Sequence, residues 1–142
     1  MTDIRIIRAT WEDQRAAIKQ VRQRVFIEEQ GVTAADEWDD QDDCSHHVLA
    51  LTANRDVVAT GRLQRDAKIT RMAVLSGWRG QRVGAAILTA LLDIAAEQGM
   101  EGLWLHAQQS AIGFYQRYGF VNEGEPFDEA GIAHVTMRRH NI

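Results

Sequence analysis

The passage Arg71-Met72-Ala73-Val74-Leu75-Ser76-Gly77-Trp78-Arg79-Gly80-Gln81-Arg82-Val83-Gly84-Ala85-Ala86-Ile87-Leu88 constrains this chain most, because an apolar strand pattern runs through an Arg/Gly loop into a helix pattern. A strand that hands the chain to a helix leaves the first N–H groups of that helix, and the positive end of its dipole, at the end of a sheet. Small residues at Gly80, Gly84 and Ala85 let a ligand approach the backbone there. The arrangement suits an anion, and a diphosphate in particular.

The flanking segments supply the rest of a sheet. Ile4 to Ala9 alternate as a strand, and Thr10 with Asp13 resembles a capping box that opens a helix. That helix is predicted to run to about Glu29, with Ile18, Val21 and Val25 at helical spacing, Phe26 beside them and Gly31 as its stop. His47 to Leu51 and Val57 to Leu63 flank Asn54-Arg55-Asp56 as a hairpin, and Lys68 to Leu75 forms the next strand. A helix from Val83 to about Gln98, a strand Leu103 to His106, a helix near Ser110 to Tyr118, a return strand from Phe120-Val121 and a last strand His134 to Arg139 follow. Short connections make the early strands antiparallel, while strand, helix, strand in the middle implies one parallel crossover. The expected class is α+β, a mixed, mostly antiparallel central sheet flanked by helices.

A length of 142 residues fits one domain spanning 1–142, and a hydrophobic share of 45% fills a core. The formal charge of -4 argues against nucleic-acid binding, yet the charges are segregated. Val25 to Asn54 holds no Lys or Arg but has Glu28, Glu29, Asp36, Glu37, Asp39, Asp40, Asp42 and Asp43; Arg62 to Arg82 sets Arg62, Arg65, Lys68, Arg71, Arg79 and Arg82 against Asp66 alone. One half attracts a cation and the other an anion. The acidic stretch lacks the glycine and glutamate of a calcium loop, where Cys44 and Ala50 stand, and Cys44 with His46 and His47 is too compressed for zinc. No metal is expected, and the stretch reads as a solvated loop, with attraction of a basic, polyamine-like substrate as its functional alternative. Cys44, the only cysteine, excludes an intrachain disulfide. Met1 to Arg5 carries no signal-peptide pattern and no apolar run nears the ~18 residues that span a membrane, so a cytoplasmic protein without membrane contact is expected.

Three segments resemble the GNAT superfamily of acyl-CoA N-acyltransferases. Arg79-Gly80-Gln81-Arg82-Val83-Gly84 is similar to the family's acyl-CoA loop, Ala111-Ile112-Gly113-Phe114-Tyr115-Gln116-Arg117-Tyr118-Gly119-Phe120 to its Phe-Tyr, Gly-Phe signature, and Val21 to Gly31 to a subgroup of small bacterial members, as are Leu105-His106-Ala107-Gln108 and Glu129 to His134. Arg82 stands where the family most often has its middle glycine, although its N–H remains available to a phosphate and its guanidinium can add a contact.

The resemblance implies the GNAT fold, acetyl-CoA as co-substrate and a primary amine of a small molecule or peptide as acceptor, joined by direct attack in a ternary complex. It places the pantetheine arm on the backbone of Met72, Ala73 and Val74, and the pyrophosphate on Arg79, Gly80, Gln81, Arg82, Val83, Gly84 and Ala85. Tyr115 matches the family's tyrosine beside the thioester sulfur, a general acid that is protonated at neutral pH; its alternative is a core aromatic, the reading given to Tyr118. His106, at the carboxyl end of its strand, is the candidate base, with a hydrogen-bonded sheet histidine as the alternative. Phe26, Glu28, Glu29 and His134 are acceptor-site candidates, the two glutamates also fitting an exposed helix end. Trp38 and Trp78 either cover the core or face a partner, which leaves a homodimer open. The rival function is a GNAT-like module that binds acyl-CoA as a sensor without turnover. A nucleotide-binding loop is disfavoured, since neither a Gly-Lys-Ser/Thr ending nor a Rossmann glycine triplet is present.

Overall fold

The computed structural model describes residues 3–140; Met1, Thr2, Asn141 and Ile142, the ends of the span expected to form one domain, lie outside the described residues. Seven strands form one sheet: β1 (Ile4–Ala9), β2 (His46–Thr52), β3 (Val57–Leu63), β4 (Lys68–Val74), β5 (Leu103–Gln108), β6 (Val121–Glu129) and β7 (Ile132–Arg139), in the order β1-β2-β3-β4-β5-β7-β6. Only β4 and β5 pair in parallel. The mixed, mostly antiparallel sheet expected from the strand spacing is therefore present. β6 and β7 turn through Ala130 and Gly131, both at positive φ, the backbone that a two-residue hairpin loop requires.

Helix α1 (Trp11–Arg22) covers one face and α3 (Val83–Glu97) the other; α2 (Ala34–Glu37) and α4 (Ile112–Gln116) are short. Thr10 caps α1 by accepting the Asp13 N–H, as its sequence signature requires. Val83, Ile87, Leu88, Leu91, Ile94 and Ala95 bury one side of α3 against the sheet. Each large apolar side chain so buried contributes roughly 1.5–3 kcal/mol. The helix lies closest to β3 at Gly61, where a Cβ would stand 2.6 Å from Ile87 Cγ2 and 3.0 Å from Leu91 Cδ1. On the opposite face, Ile18 packs with Leu49 and Leu51, and Val21 and Val25 pack with Ala73.

Two local departures from regularity aim residues at the site. The helix predicted to continue to Glu29 ends its α form at Arg22 and widens into a π-helix over Gln23–Glu29, with the Gln30 N–H donating to the Val25 carbonyl. Such widened turns recur at functional sites. In β4, Arg71 adopts φ +55 and the pairing with β3 slips between Thr60 and Arg62. This bulge inverts the alternation of the strand: Ile69 packs in the α3-side core and Ala73 in the α1-side core, although residues four apart in a regular strand share a face.

The acidic segment is not the solvated loop expected from its composition. Arg22 donates to Glu37 Oε2 at 2.7 Å and to Asp42 Oδ1 at 2.6 Å, and Arg62 donates to Asp39 Oδ1 and Asp42 Oδ1, both at 2.8 Å. Arg71 adds a contact to Asp39 at 3.2 Å. Arg22, Arg62, Glu37 and Asp42 are almost wholly buried, and Trp11 and Trp38 flank the Arg22 guanidinium. The two charge-segregated halves thus neutralise each other, because a buried charge persists only when paired. Two of the six cations read as anion attractors, Arg62 and Arg71, are consumed here. Trp38 stacks on Arg22 and Lys19, and Trp78 packs on the core, each remaining half-buried.

Candidate active site

β4 and β5 are paired only at Lys68–Trp104 and Ile69–Leu105, after which the bulge turns β4 away while β5 continues along β7 to Gln108. Ala73 and Val74 keep β3 as their partner and present their other edge to the gap. The gap opens into a cleft of about 910 Å³ lined by β4, β5, the π-helix, α4 and the β6–β7 hairpin. A second hollow of about 560 Å³ meets it at Val74, Arg79 and Phe114 and lies over the start of α3.

Gly80, Arg82, Val83, Gly84 and Ala85 line the second hollow. The Ala86 N–H donates to the Arg82 carbonyl at 3.1 Å to close the first turn of α3, and no side chain caps the helix. The N–H groups of Val83, Gly84 and Ala85 are thus those that an α-helix leaves for an outside acceptor. Gly80 and Arg82 both take left-handed backbone, φ +77 and +66. The arginine at the family's glycine position therefore keeps the glycine conformation, at a cost of about 1–2 kcal/mol for an L-residue. Gly84 differs: its φ is ordinary, and a Cβ there would touch only Val74 Cγ2 at 3.8 Å.

Arg79 closes the junction of the two hollows. Its Nε donates to the Val74 carbonyl at 2.9 Å, and its Nη1 and Nη2 grip Glu29 at 2.5 and 2.8 Å. That hydrogen-bonded pair holds the Glu29 carboxyl below its ordinary value. Glu29 is thus a paired carboxylate at the cleft wall, and Glu28 stands on exposed surface outside the lining. Gln81 also lies outside both linings, with its Nε2 donating to the Gly77 carbonyl at 3.3 Å. Phe26 lines the larger cleft.

Tyr115 reaches the gap from α4, its hydroxyl donating to Met72 Sδ at 3.6 Å. Desolvation pushes its phenol up to about 12, so the proton stays on oxygen. Tyr118 is half-buried and lines the smaller hollow beside Phe114, rather than belonging wholly to the core.

The opposite wall carries a cluster that composition did not reveal. His106 Nδ1 lies 3.1 Å from Glu129 Oε1, and His134 Nε2 lies 3.8 Å from Glu129 Oε2. Phe127 meets His106 edge-on at 4.8 Å and stacks on His134 at 6.1 Å. A carboxylate only accepts hydrogen bonds, so His106 Nδ1 carries a proton and the neutral ring keeps its lone pair on Nε2. The Ile132 carbonyl, 2.7 Å from His134 Nδ1, fixes the same tautomer there. Glu129 is the residue the sequence reading missed in this group. Its signal was its place one two-residue turn before the His134 strand. Among the described residues, no group of three or more His, Cys, Asp and Glu could hold a metal ion.

The model of the acetyltransferase (GNAT) domain matches residues 11–140. The chain belongs to the GNAT acetyltransferase family. It is similar to protein YyaT of Bacillus subtilis, 38% identical over 137 residues that cover 92% of this chain and 90% of the relative. It is also similar to the uncharacterized N-acetyltransferase YjcF of the same organism, 35% identical over 122 residues, 84% of this chain and 87% of the other. The crystal structure of an acyl-CoA N-acyltransferase from Pseudomonas aeruginosa superposes with a TM-score of 0.85 at 28% identity, covering 96% of this chain and 99% of that one. The GNAT chain is thus an acyltransferase with the GNAT fold. No helix among its described residues is long and apolar enough to cross a membrane.

Proposed function

We propose that the protein is an N-acetyltransferase that moves the acetyl group of acetyl-CoA onto a primary amine of a small molecule or peptide, by direct attack in a ternary complex. The observation that carries this reading is the divergence of β4 from β5, which opens one gap between the α3 N-terminus and the His106–Glu129–His134 wall. The residues fit the co-substrate. The N–H groups of Val83, Gly84 and Ala85 suit the pyrophosphate, and the free edge of β4 over Met72, Ala73 and Val74 suits the amide-bearing arm as an added strand does. Arg82 adds a positive side chain beside the phosphates, while Arg79 shapes the junction through Glu29 and Val74.

The acetyl thioester supplies an activated acyl carbon, so the protein need only position the amine and move protons. His106 Nε2 takes the proton that the attacking amine must lose, and Glu129 keeps Nδ1–H in place and offsets the imidazolium charge. Tyr115 donates its hydroxyl proton to the departing sulfur. Phe26 and His134 shape the acceptor side. Cys44, hydrogen-bonded through Sγ to the Gln41 carbonyl at 3.5 Å and absent from both linings, takes no part. A cytoplasmic setting suits a CoA-dependent reaction. The test is release of CoA thiol from acetyl-CoA across an amine panel: amine-dependent release supports the reading, and binding of CoA with no release on any amine points to the sensor module.

A further inference from the structure

We propose that the acceptor amine also carries a carboxylate, and that Lys68 receives this carboxylate while His106 and Glu129 take the amine. The inference rests on the N-acetyltransferase reading above and names the substrate class of the same site.

Among the described basic side chains of the larger cleft, Lys68 alone has neither a hydrogen bond nor a carboxylate within ion-pair distance. Arg79 is held by Glu29 and the Val74 carbonyl. Arg71 is held by Asp39 and by the carbonyls of Asp36 and Glu37. The Lys68 ammonium instead lies 4.9 Å over the ring of Trp104, which in turn meets His106 edge-on at 5.5 Å. The parallel register Lys68–Trp104 places Lys68, Trp104 and His106 on the same face of the sheet, the face that opens into the cleft. One aromatic side chain thus separates a lone ammonium from the proposed base.

A half-buried ammonium without an anion is costly, and a ligand carboxylate supplies the missing partner. Burial lowers the Lys68 pKa, with Glu129 the leading charge that opposes the shift. Both Glu129 oxygens face His106 Nδ1, at 3.1 and 3.3 Å, and neither stands within ion-pair distance of Lys68. A single ammonium is a point charge that matches one carboxylate; a phosphate dianion calls for further donors, and the guanidinium forks nearby are occupied. The cleft therefore forms a zwitterion's complement: an unpaired cation on β4, and a histidine–carboxylate pair for the amine on β5 and β6.

The test pairs amino acids with their own decarboxylated amines in the thiol-release assay, using wild type, Lys68→Gln and Lys68→Arg, with CoA affinity measured for each. Wild type is expected to favour the acid of an accepted pair by tenfold or more in kcat/KM. Lys68→Gln is expected to erase that preference through KM with CoA affinity unchanged, and Lys68→Arg to restore part of it. Equal or better use of the decarboxylated amine by wild type, or a preference that survives Lys68→Gln, overturns the proposal and leaves the N-acetyltransferase reading intact. Release with no amine of either kind overturns both.

Discussion

The Tyr115 hydroxyl donates to Met72 Sδ at 3.6 Å, which sets the phenol of α4 against the part of β4 that has left β5. Burial pushes this phenol up to about 12, so it remains a proton donor where an ordinary tyrosine would begin to ionise. Tyr115→Phe is expected to lower kcat by roughly 10²-fold with CoA affinity unchanged. In wild type, the rate against pH should show no loss centred near pH 10, the ordinary phenol value. A fall centred there that vanishes in Tyr115→Phe would contradict the burial argument.

Glu129 is expected to act through His106. Glu129→Gln should lower kcat about 10- to 100-fold and alter the acid limb of the rate profile, with Glu129→Asp recovering part of the loss. His106→Ala should cost at least as much. The double variant should then lose little more than His106→Ala alone, since a positioning residue has nothing left to position. Losses that multiply would show that Glu129 acts elsewhere.

The buried ion network should be visible in acid stability. Against the cost of burial, the Arg62 hydrogen bond and the Gln41 amide hold the Asp39 carboxyl down to about 2. A carboxyl lowered in the folded state stabilises the protein above its unfolded value near 3.9, and this contribution is lost as pH falls through about 2. Wild type should therefore exceed Asp39→Asn in stability at neutral pH, with the gap closing between about pH 4 and pH 2. Denaturant melts at several pH values measure it, and a gap independent of pH would contradict the pairing.

Gly61 lies where α3 presses on β3. Gly61→Ala is expected to cost about 1–3 kcal/mol, since its Cβ would stand 2.6 Å from Ile87 Cγ2 and the helix or that side chain must shift. Adding Ile87→Val should recover part of the loss, and a thermal melt of the pair reads the difference.

The fold was legible where the pattern is local. The alternation of Ile4 to Ala9 gave β1, the runs flanking Asn54-Arg55-Asp56 gave β2 and β3, the capping pair Thr10 and Asp13 gave the start of α1, and Gly99 marked the end of α3. What escaped is non-local. Arg22 and Arg62 meet Asp42 from twenty residues away in either direction along the chain, a pairing that charge counts read as two opposed patches. β6 is exposed along nearly its whole length, with only Phe127 half-buried, so it carries no apolar alternation by which to find it beyond Val121. The same holds at the site. The α3 cradle is written in glycines and a helix start, whereas the Glu129–His106 contact depends on a hairpin folding back over β5, which no short motif records.

Amine-dependent thiol release by wild type and Gly84→Glu, each with a CoA-binding isotherm, bears most directly on the joined site. Gly84 has ordinary φ and room for a side chain, so the variant is expected to fold, while its carboxylate meets the phosphates at the α3 N-terminus. The expected result is release by wild type only when an amine is present, and loss of both CoA binding and release in Gly84→Glu. Unchanged CoA binding in a folded Gly84→Glu protein would contradict the account.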